Sequence, residues 1–215
     1  MIHEVLSVGP LQCNCSVIGD ASTHEAMVVD PGGDLSKILA IVLRHSLRIT
    51  QIVVTHAHID HIAGARELNQ LTGAPVYYNQ LDLPLVKMME VQAEWLGMET
   101  PDVAPPDASA EDGMVISTGN LRSEVMHTPG HTEGSICLHF PTESLLIAGD
   151  TLFAGTVGRT DLPGGDQRKL LNSIRGRLMD LPEQTKVVPG HGQLTTIGKE
   201  NDTNPWMTKG PIAKS

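Results

Sequence analysis

The sequence predicts an α/β protein with a core of two sheets and helices outside it. Three observations predict this. Short apolar runs of strand length recur along the chain, and stretches with helical apolar spacing separate them in both halves. No internal repeat or low-complexity tract interrupts the alternation. With 215 residues, 40% of them hydrophobic, one sizeable core is expected, and so a single domain over 1–215.

In chain order, Ile2 to Val8 reads as a strand broken by Gly9-Pro10. Ser16 to Ile18 and Ala26 to Val29 read as a strand pair around the turn Gly19 to Glu25. Asp30-Pro31-Gly32-Gly33 is a tight turn, and Asp34 has the character of a helix N-cap. Leu35, Ile38, Leu39 and Val42 then form a buried helical face, and Ile49 to Val54 is the next strand. A helix starts over Ile62 to Leu68, and Val76 to Tyr78 is a short strand. Leu81 to Leu96 is expected as one helix, and Gly97 to Asp112 as a loop. Hairpins are expected around Thr118-Gly119-Asn120 and Pro141-Thr142-Glu143. A Gly-rich loop runs from Leu152 to Asp166. Leu170, Leu171, Ile174, Leu178 and Leu181 mark an amphipathic helix stopped by Pro182. Thr185 to Val188 is expected as the last strand, and Lys199 to Ser215 as a polar, partly loose end.

The formal net charge of −10, with two residues each of Phe, Tyr and Trp, argues against nucleic acid as a partner. It leaves room for a small anionic substrate, because bound cations would reverse the local field. No apolar stretch is long enough to span a bilayer, and the first ten residues have no secretory character. Cys13, Cys15 and Cys137 make no complete disulfide framework. They read as small buried thiols in a reducing cytoplasm, which is the expected location. Oligomeric state leaves no trace in the sequence.

The chemistry centres on His56-Ala57-His58-Ile59-Asp60-His61, between the apolar run Ile52-Val53-Val54 and a helix start. Ligand-bearing turns at strand ends are where α/β proteins commonly place their chemistry. His56 and His58 are two apart, so in extended backbone both imidazoles reach one ion. Asp60 and His61 follow the turn and are free to serve a second. Imidazole and carboxylate suit zinc, iron or manganese rather than calcium. Three further segments have one form, an apolar strand, a Gly turn, then a ligand: Pro129-Gly130-His131, Gly149-Asp150 and Pro189-Gly190-His191. His56, His58, Asp60, His61, His131, Asp150 and His191 are too many ligands for one tetrahedral ion and suit two, if one carboxylate bridges. His3, His24, His45, His127 and His139 have no such setting.

These motifs, in this order, resemble the metallo-β-lactamase-fold hydrolases. Within them the chain is most similar to glyoxalase II-like hydroxyacylglutathione hydrolases of the short bacterial form. The resemblance rests on His56 to His61, Pro129-Gly130-His131-Thr132, Gly149-Asp150-Thr151-Leu152-Phe153 and Pro189-Gly190-His191-Gly192. Gly9-Pro10-Leu11-Gln12 and Asp30-Pro31-Gly32-Gly33 add to it. It implies a four-layer αβ/βα sandwich with metals at one edge of the sheets. It implies that His56, His58 and His131 hold one ion, that Asp60, His61 and His191 hold the other, and that Asp150 lies between them. Two divalent ions are implied, zinc first, with iron or manganese also compatible. The implied activity is hydrolysis of a small-molecule thioester such as S-D-lactoylglutathione, with Asp60 orienting the attacking hydroxide. The chain runs about twenty-four residues past His191, so no separate C-terminal helical domain is expected.

The alternatives are a persulfide dioxygenase with a single iron and a hydrolase of another ester or thioester. A β-lactamase ranks lower, because those enzymes tend to have a cysteine near the place of Asp150. A scaffold without catalysis ranks lowest, since no ligand position is missing. Asp30 reads equally as a partner of a ligand histidine or as an ordinary turn residue. Arg159 reads first as a local ion pair with Asp161 or Asp166, and second as a binder of a substrate carboxylate. Met88, Met89, Trp95 and Met98 read first as helix core, and second as a substrate mouth.

Overall fold

The computed structural model describes residues 1–208. The first half runs β1 (Ile2–Val8), β2 (Cys13–Gly19), β3 (Glu25–Val29), α1 (Leu35–Arg44), β4 (Arg48–Val53), α2 (Ile59–Ile62), α3 (Ala65–Thr72) and β5 (Val76–Tyr78). After a 3-10 turn (Gln80–Asp82) come α4 (Leu83–Val86), α5 (Met89–Leu96) and β6 (Ala108–Ser109). The second half runs β7 (Val115–Thr118), β8 (Leu121–His127), β9 (Ile136–Phe140), β10 (Leu145–Gly149), β11 (Leu152–Phe153), β12 (Thr156–Val157) and α6 (Gln167–Ser173). A wide π turn (Ile174–Leu178), β13 (Lys186–Pro189), β14 (Thr195–Thr196), α7 (Ile197–Thr203) and α8 (Pro205–Thr208) complete it.

One six-stranded sheet has the order β1-β2-β3-β4-β5-β6, antiparallel from β1 to β3 and parallel from β3 to β6. The other has the order β14-β13-β10-β9-β8-β7, and only β10 and β13 run parallel. Period-2 alternation along the strands then separates three apolar layers. Val17, Val28 and Ile52 face outward onto Ile38, Ile41 and Val42 of α1 and Leu68 of α3. Ile18, Met27, Val29 and Val53 face inward and meet Ile136, Leu138, Phe140 and Ile147 of the other sheet. Cys137, Leu146 and Val187 face outward again, onto Leu170, Ile174 and Leu178. Helix, sheet, sheet, helix is the predicted four-layer αβ/βα sandwich. Phe140 is fully buried between the sheets, and its truncation to Ala would cost roughly 3–5 kcal/mol.

Several expectations need correction. Leu81 to Leu96 is not one helix. Asn79 caps the 3-10 turn by accepting from Leu81, Pro84 opens α4, and Met88 bonds back only three residues, to Leu85. The predicted helix over Leu170 to Leu181 widens after Ser173, where Met179 bonds to Ile174, five residues back. The loops expected at Gly97 to Asp112 and Leu152 to Asp166 contain β6 and the β11–β12 hairpin. Thr185 to Val188 is followed by one more strand, β14. Lys199 to Thr208 is largely helical, with the buried Glu200 accepting from Thr195, Gly155 and Asn204. The remainder of the predicted loose end, 209–215, lies outside the described residues.

Candidate metal centre

All seven sequence-selected ligands converge at one edge of the sandwich, each just past a strand or at a helix start. His56 and His58 follow β4, and His58 is the N-cap of α2. Asp60 and His61 lie in the first turn of α2. His131 follows β8, Asp150 follows β10 and His191 follows β13. The turns fit tightly. A Cβ on Gly190 would lie 2.0 Å from Asp150 Oδ1 and 2.7 Å from His61 Cε1. One on Gly32 would lie 1.5 Å from the Asp60 carbonyl.

The ring nitrogens of His56, His58 and His131 form a triangle. His56 Nε2 is 3.0 Å from His58 Nδ1, and His131 Nε2 is 3.1 Å and 2.9 Å from these two atoms. Hydrogen bonds on the far side of the rings fix two tautomers. His131 Nδ1 donates to the Arg159 carbonyl at 2.8 Å. Thr55 donates its hydroxyl proton to Asp30 Oδ2, so His56 Nδ1 donates to Thr55 Oγ1. His56 Nε2 and His131 Nε2 therefore face each other as bare lone pairs. Such an arrangement is repulsive unless a cation lies between them. Tetrahedral ligands at about 2.0–2.1 Å from one ion are about 3.3 Å apart, so the triangle fits such an ion.

The second group is acidic. Asp60 Oδ2 is 3.1 Å from His191 Nε2 and 3.6 Å from His61 Nε2. His61 Nδ1 donates to Asp30 Oδ2 at 3.0 Å, and His191 Nδ1 to the Leu11 carbonyl at 3.1 Å. Asp150 faces both groups, with Oδ2 3.5 Å from His131 Nε2 and Oδ1 3.5 Å from His61 Nε2 and 3.9 Å from His191 Nε2. His61 Nε2 and Asp150 Oδ1 are buried with no hydrogen-bond partner among the described residues. Orphaned buried atoms of this kind call for a ligand.

The electrostatics of the two groups diverge. Burial, with the neighbouring imidazoles, pushes His56 well below the ordinary imidazole range. Burial and the adjacent His131 push His58 down to about 3, and burial also lowers His131. These rings are neutral, as ligands must be. Burial opposes protonation of His61 too, but Cys13, Asp60, Asp30 and Asp150 outweigh it and raise its pKa well above the usual value. Burial likewise opposes protonation of His191, and its bond to Asp60 and the charge of Asp150 override that. This corner favours positive charge, whether a proton or a metal cation.

The chain matches the model of the metallo-beta-lactamase superfamily over residues 8–191. It belongs to that superfamily. Members of the metallo-β-lactamase superfamily are typically metal-dependent hydrolases. Among its relatives, the hydroxyacylglutathione hydrolase GloC of Haemophilus influenzae is 34% identical over 206 residues, covering 95% of this chain and 97% of that one. The crystal structure of BLEG-1 B3 metallo-beta-lactamase superposes with a TM-score of 0.87 at 34% identity, covering 97% of this chain and 100% of that one. The structure of TTHA1623 in a di-iron-bound form gives a TM-score of 0.86 at 37% identity, covering 94% and 99%.

All seven predicted ligands thus gather in one His and Asp cluster that could hold metal, and the five other histidines lie elsewhere. His3 contacts Ser16, His45 pairs with Glu4, and His127 donates to the Glu133 carbonyl. Asp30 accepts from His61, one of the predicted ligands, and also from the Thr55 amide and hydroxyl, so it is more than a turn residue. Arg159 forms a bidentate pair with Asp161, at 2.7 and 2.9 Å, so the local reading holds. The Met and Trp set divides. Met89 is core and Met98 packs on it, whereas Met88 and Trp95 line a cavity of about 400 Å³ over the cluster.

Sequence reasoning missed Asp82 and Gln92. Buried Asp82 accepts from the Ala57 amide, the Thr132 hydroxyl and the Gly134 amide, so it ties the His56–His58 turn to the His131 turn. Gln92 accepts from the Ile59 amide and donates to the Leu85 carbonyl. Neither belongs to a motif. Cys13, with burial pushing its thiol up to about 11, lies 3.5 Å from His61 Nδ1 and acts as packing beside that ring.

Proposed function

We propose that the protein is a dinuclear metal-dependent hydrolase that cleaves a thioester such as S-D-lactoylglutathione. The observation that carries this reading is Asp150, a single carboxylate whose two oxygens face two separate ligand groups. His56, His58 and His131 would hold one divalent ion, and Asp60, His61 and His191 the other, with Asp150 between them. Zinc is the first choice of metal, and the di-iron form of TTHA1623 keeps iron in view. Such a pair supplies Lewis acidity and a hydroxide nucleophile near neutral pH.

The chain's own groups do the rest. Asp30, Leu11 and Arg159 hold the outer nitrogens of His61, His191 and His131, which fixes each ring with its lone pair inward. Asp60 lines the cavity, where it would accept a hydrogen bond from the nucleophile and orient it. Trp95, Leu162 and Pro163 give the cavity an apolar wall. A thiolate leaves without a strong general acid, and none is needed here. The GloC relative supports the thioester class. Three buried, unbridged cysteines support a cytoplasmic setting.

The test is hydrolysis of S-D-lactoylglutathione by metal-replete protein, beside Asp150→Ala. Turnover lost in the variant supports the reading. No turnover with two ions bound keeps the hydrolase and moves the substrate. A β-lactam is then the next class to assay, because BLEG-1 is similar over nearly all of this chain. One bound iron without turnover favours the persulfide dioxygenase reading, to be checked by oxygen uptake.

A further inference from the structure

Beside the ligands, the cavity wall holds a buried polar group that the hydrolase reading leaves unused, the side-chain amide of Gln92. β4 keeps a strand as its partner only as far as Val54, whose amide donates to the Tyr77 carbonyl at 2.8 Å. Beyond it, side chains stand in for the neighbouring strand. The Thr55 amide donates to Asp30 at 2.7 Å, the Ala57 amide to Asp82 at 2.9 Å and the Ile59 amide to Gln92 at 3.0 Å. All three acceptors are buried. The amides belong to alternate residues, and the residues between and after them, His56, His58 and Asp60, carry the ligand side chains. His58 is still extended, with φ −73° and ψ 147°.

Gln92 differs from the two aspartates in what it joins. Ile59 stands between His58 of one ligand group and Asp60 of the other, so its amide bears on both. It is also the first residue of α2, where an amide has no partner within the helix. The other end of Gln92 donates from Nε2 to the Leu85 carbonyl at 2.9 Å, which also accepts from the Met88 amide at 3.0 Å. That carbonyl marks the joint of α4 and α5, which helps place Met88 and Trp95 over the cluster. Only one orientation of the Gln92 amide serves both partners, since the Ile59 N–H needs an acceptor and the Leu85 carbonyl a donor. We propose that Gln92 is a positioning residue for both ions. One planar amide sets the His58–Asp60 backbone against the cavity wall and so holds two ligands at their separate ions. The proposal rests on the dinuclear hydrolase reading and adds to it a residue that acts through the backbone of its ligands.

The experiment loads the protein with cobalt(II), which imidazole and carboxylate ligands accept and whose visible bands report coordination geometry. Gln92→Met keeps a similar bulk and loses both hydrogen bonds. Gln92→Glu keeps an acceptor for the Ile59 amide. In Gln92→Met both ions are expected to bind about 10–100-fold more weakly in titration, with the visible bands displaced. Gln92→Glu is expected to return the bands to their wild-type positions. Should Gln92→Met not fold, Gln92→Ala, which leaves room for water at Ile59, takes its place with the same expectation, and circular dichroism checks the fold of each variant. Hydrolysis of S-D-lactoylglutathione should fall in parallel, by about 10–100-fold. Wild-type bands and affinities in a folded variant that lacks both hydrogen bonds overturn the proposal. So does weakening confined to one ion, and so do bands as displaced in Gln92→Glu as in Gln92→Met. The cobalt readout needs no substrate. Wild-type protein that holds two ions and cleaves no thioester therefore overturns the hydrolase reading, and the bands still decide the role of Gln92. A single cobalt at saturation overturns the dinuclear reading and the proposal together.

Discussion

The two ligand groups are built from the same parts, strand ends and short turns, but they differ in charge. His56, His58 and His131 present three neutral rings, and both His56 and His131 are almost wholly buried. Asp60, His61 and His191 present a carboxylate and two rings that neighbouring acids bias toward positive charge. His191 is 26% exposed at its side chain, and its far nitrogen is held only by the carbonyl of Leu11, itself exposed in a turn. Each group has two buried members and one half-buried ring, His58 in the first and His191 in the second, so the contrast between them is one of charge. Similar local structure gives different sites because the surroundings set the charge.

The comparison can be broken or sharpened by experiment. The largest effect should come from Asp150→Ala, which removes the one residue both groups share. Activity should fall by about 10³-fold or more, and metal content should drop below two per chain by elemental analysis. Full activity would remove the bridge from the account. A chelator should next separate the groups. Ion loss during dialysis against it should occur in two phases, and His191→Ala should abolish the faster one. A single phase in both proteins would mean the two seats are equivalent.

Asp30→Asn keeps the shape but weakens the support of His61. Its affinity for the second ion should fall about 10–100-fold in a metal titration, with a smaller loss for the first, whose His56 is reached only through Thr55. Asp82→Asn acts on the other side. It turns one of the two acceptor oxygens into a donor facing Ala57 or Gly134, a loss of roughly 1–3 kcal/mol in denaturant unfolding. It should weaken the first ion more than the second. His139→Ala should change neither metal content nor activity, since His139 lies on β9 away from the cluster. Loss of one ion there would show that a ligand had been misassigned.

Much of this was legible in the sequence because the ligands sit on repeated local patterns. An apolar strand, a glycine turn and a ligand can be read without knowing the fold, and all seven positions converge. Asp30 also had a signal, since Asp-Pro-Gly-Gly closes the strand next to the histidine strand, but only the pairing of β3 with β4 brings it beneath Thr55 and His61. Asp82 had none. Its partners Ala57, Thr132 and Gly134 are 25 to 52 residues away, and an aspartate near a helix start looks like a cap. The break in Leu81 to Leu96 was hidden for a related reason. Apolar spacing reports a buried face, and α4 and α5 keep such a face while the backbone tightens at Met88. That break helps place Met88 and Trp95 over the cluster instead of in the core.

The most direct measurement is anomalous diffraction at the zinc edge from crystals of the zinc-loaded protein. Two peaks on the order of 3.5–4 Å apart are expected, one inside the His56–His58–His131 triangle and one among Asp60, His61 and His191, with Asp150 touching both. A single peak at full zinc loading, or two peaks with Asp150 turned away from them, would contradict the dinuclear centre.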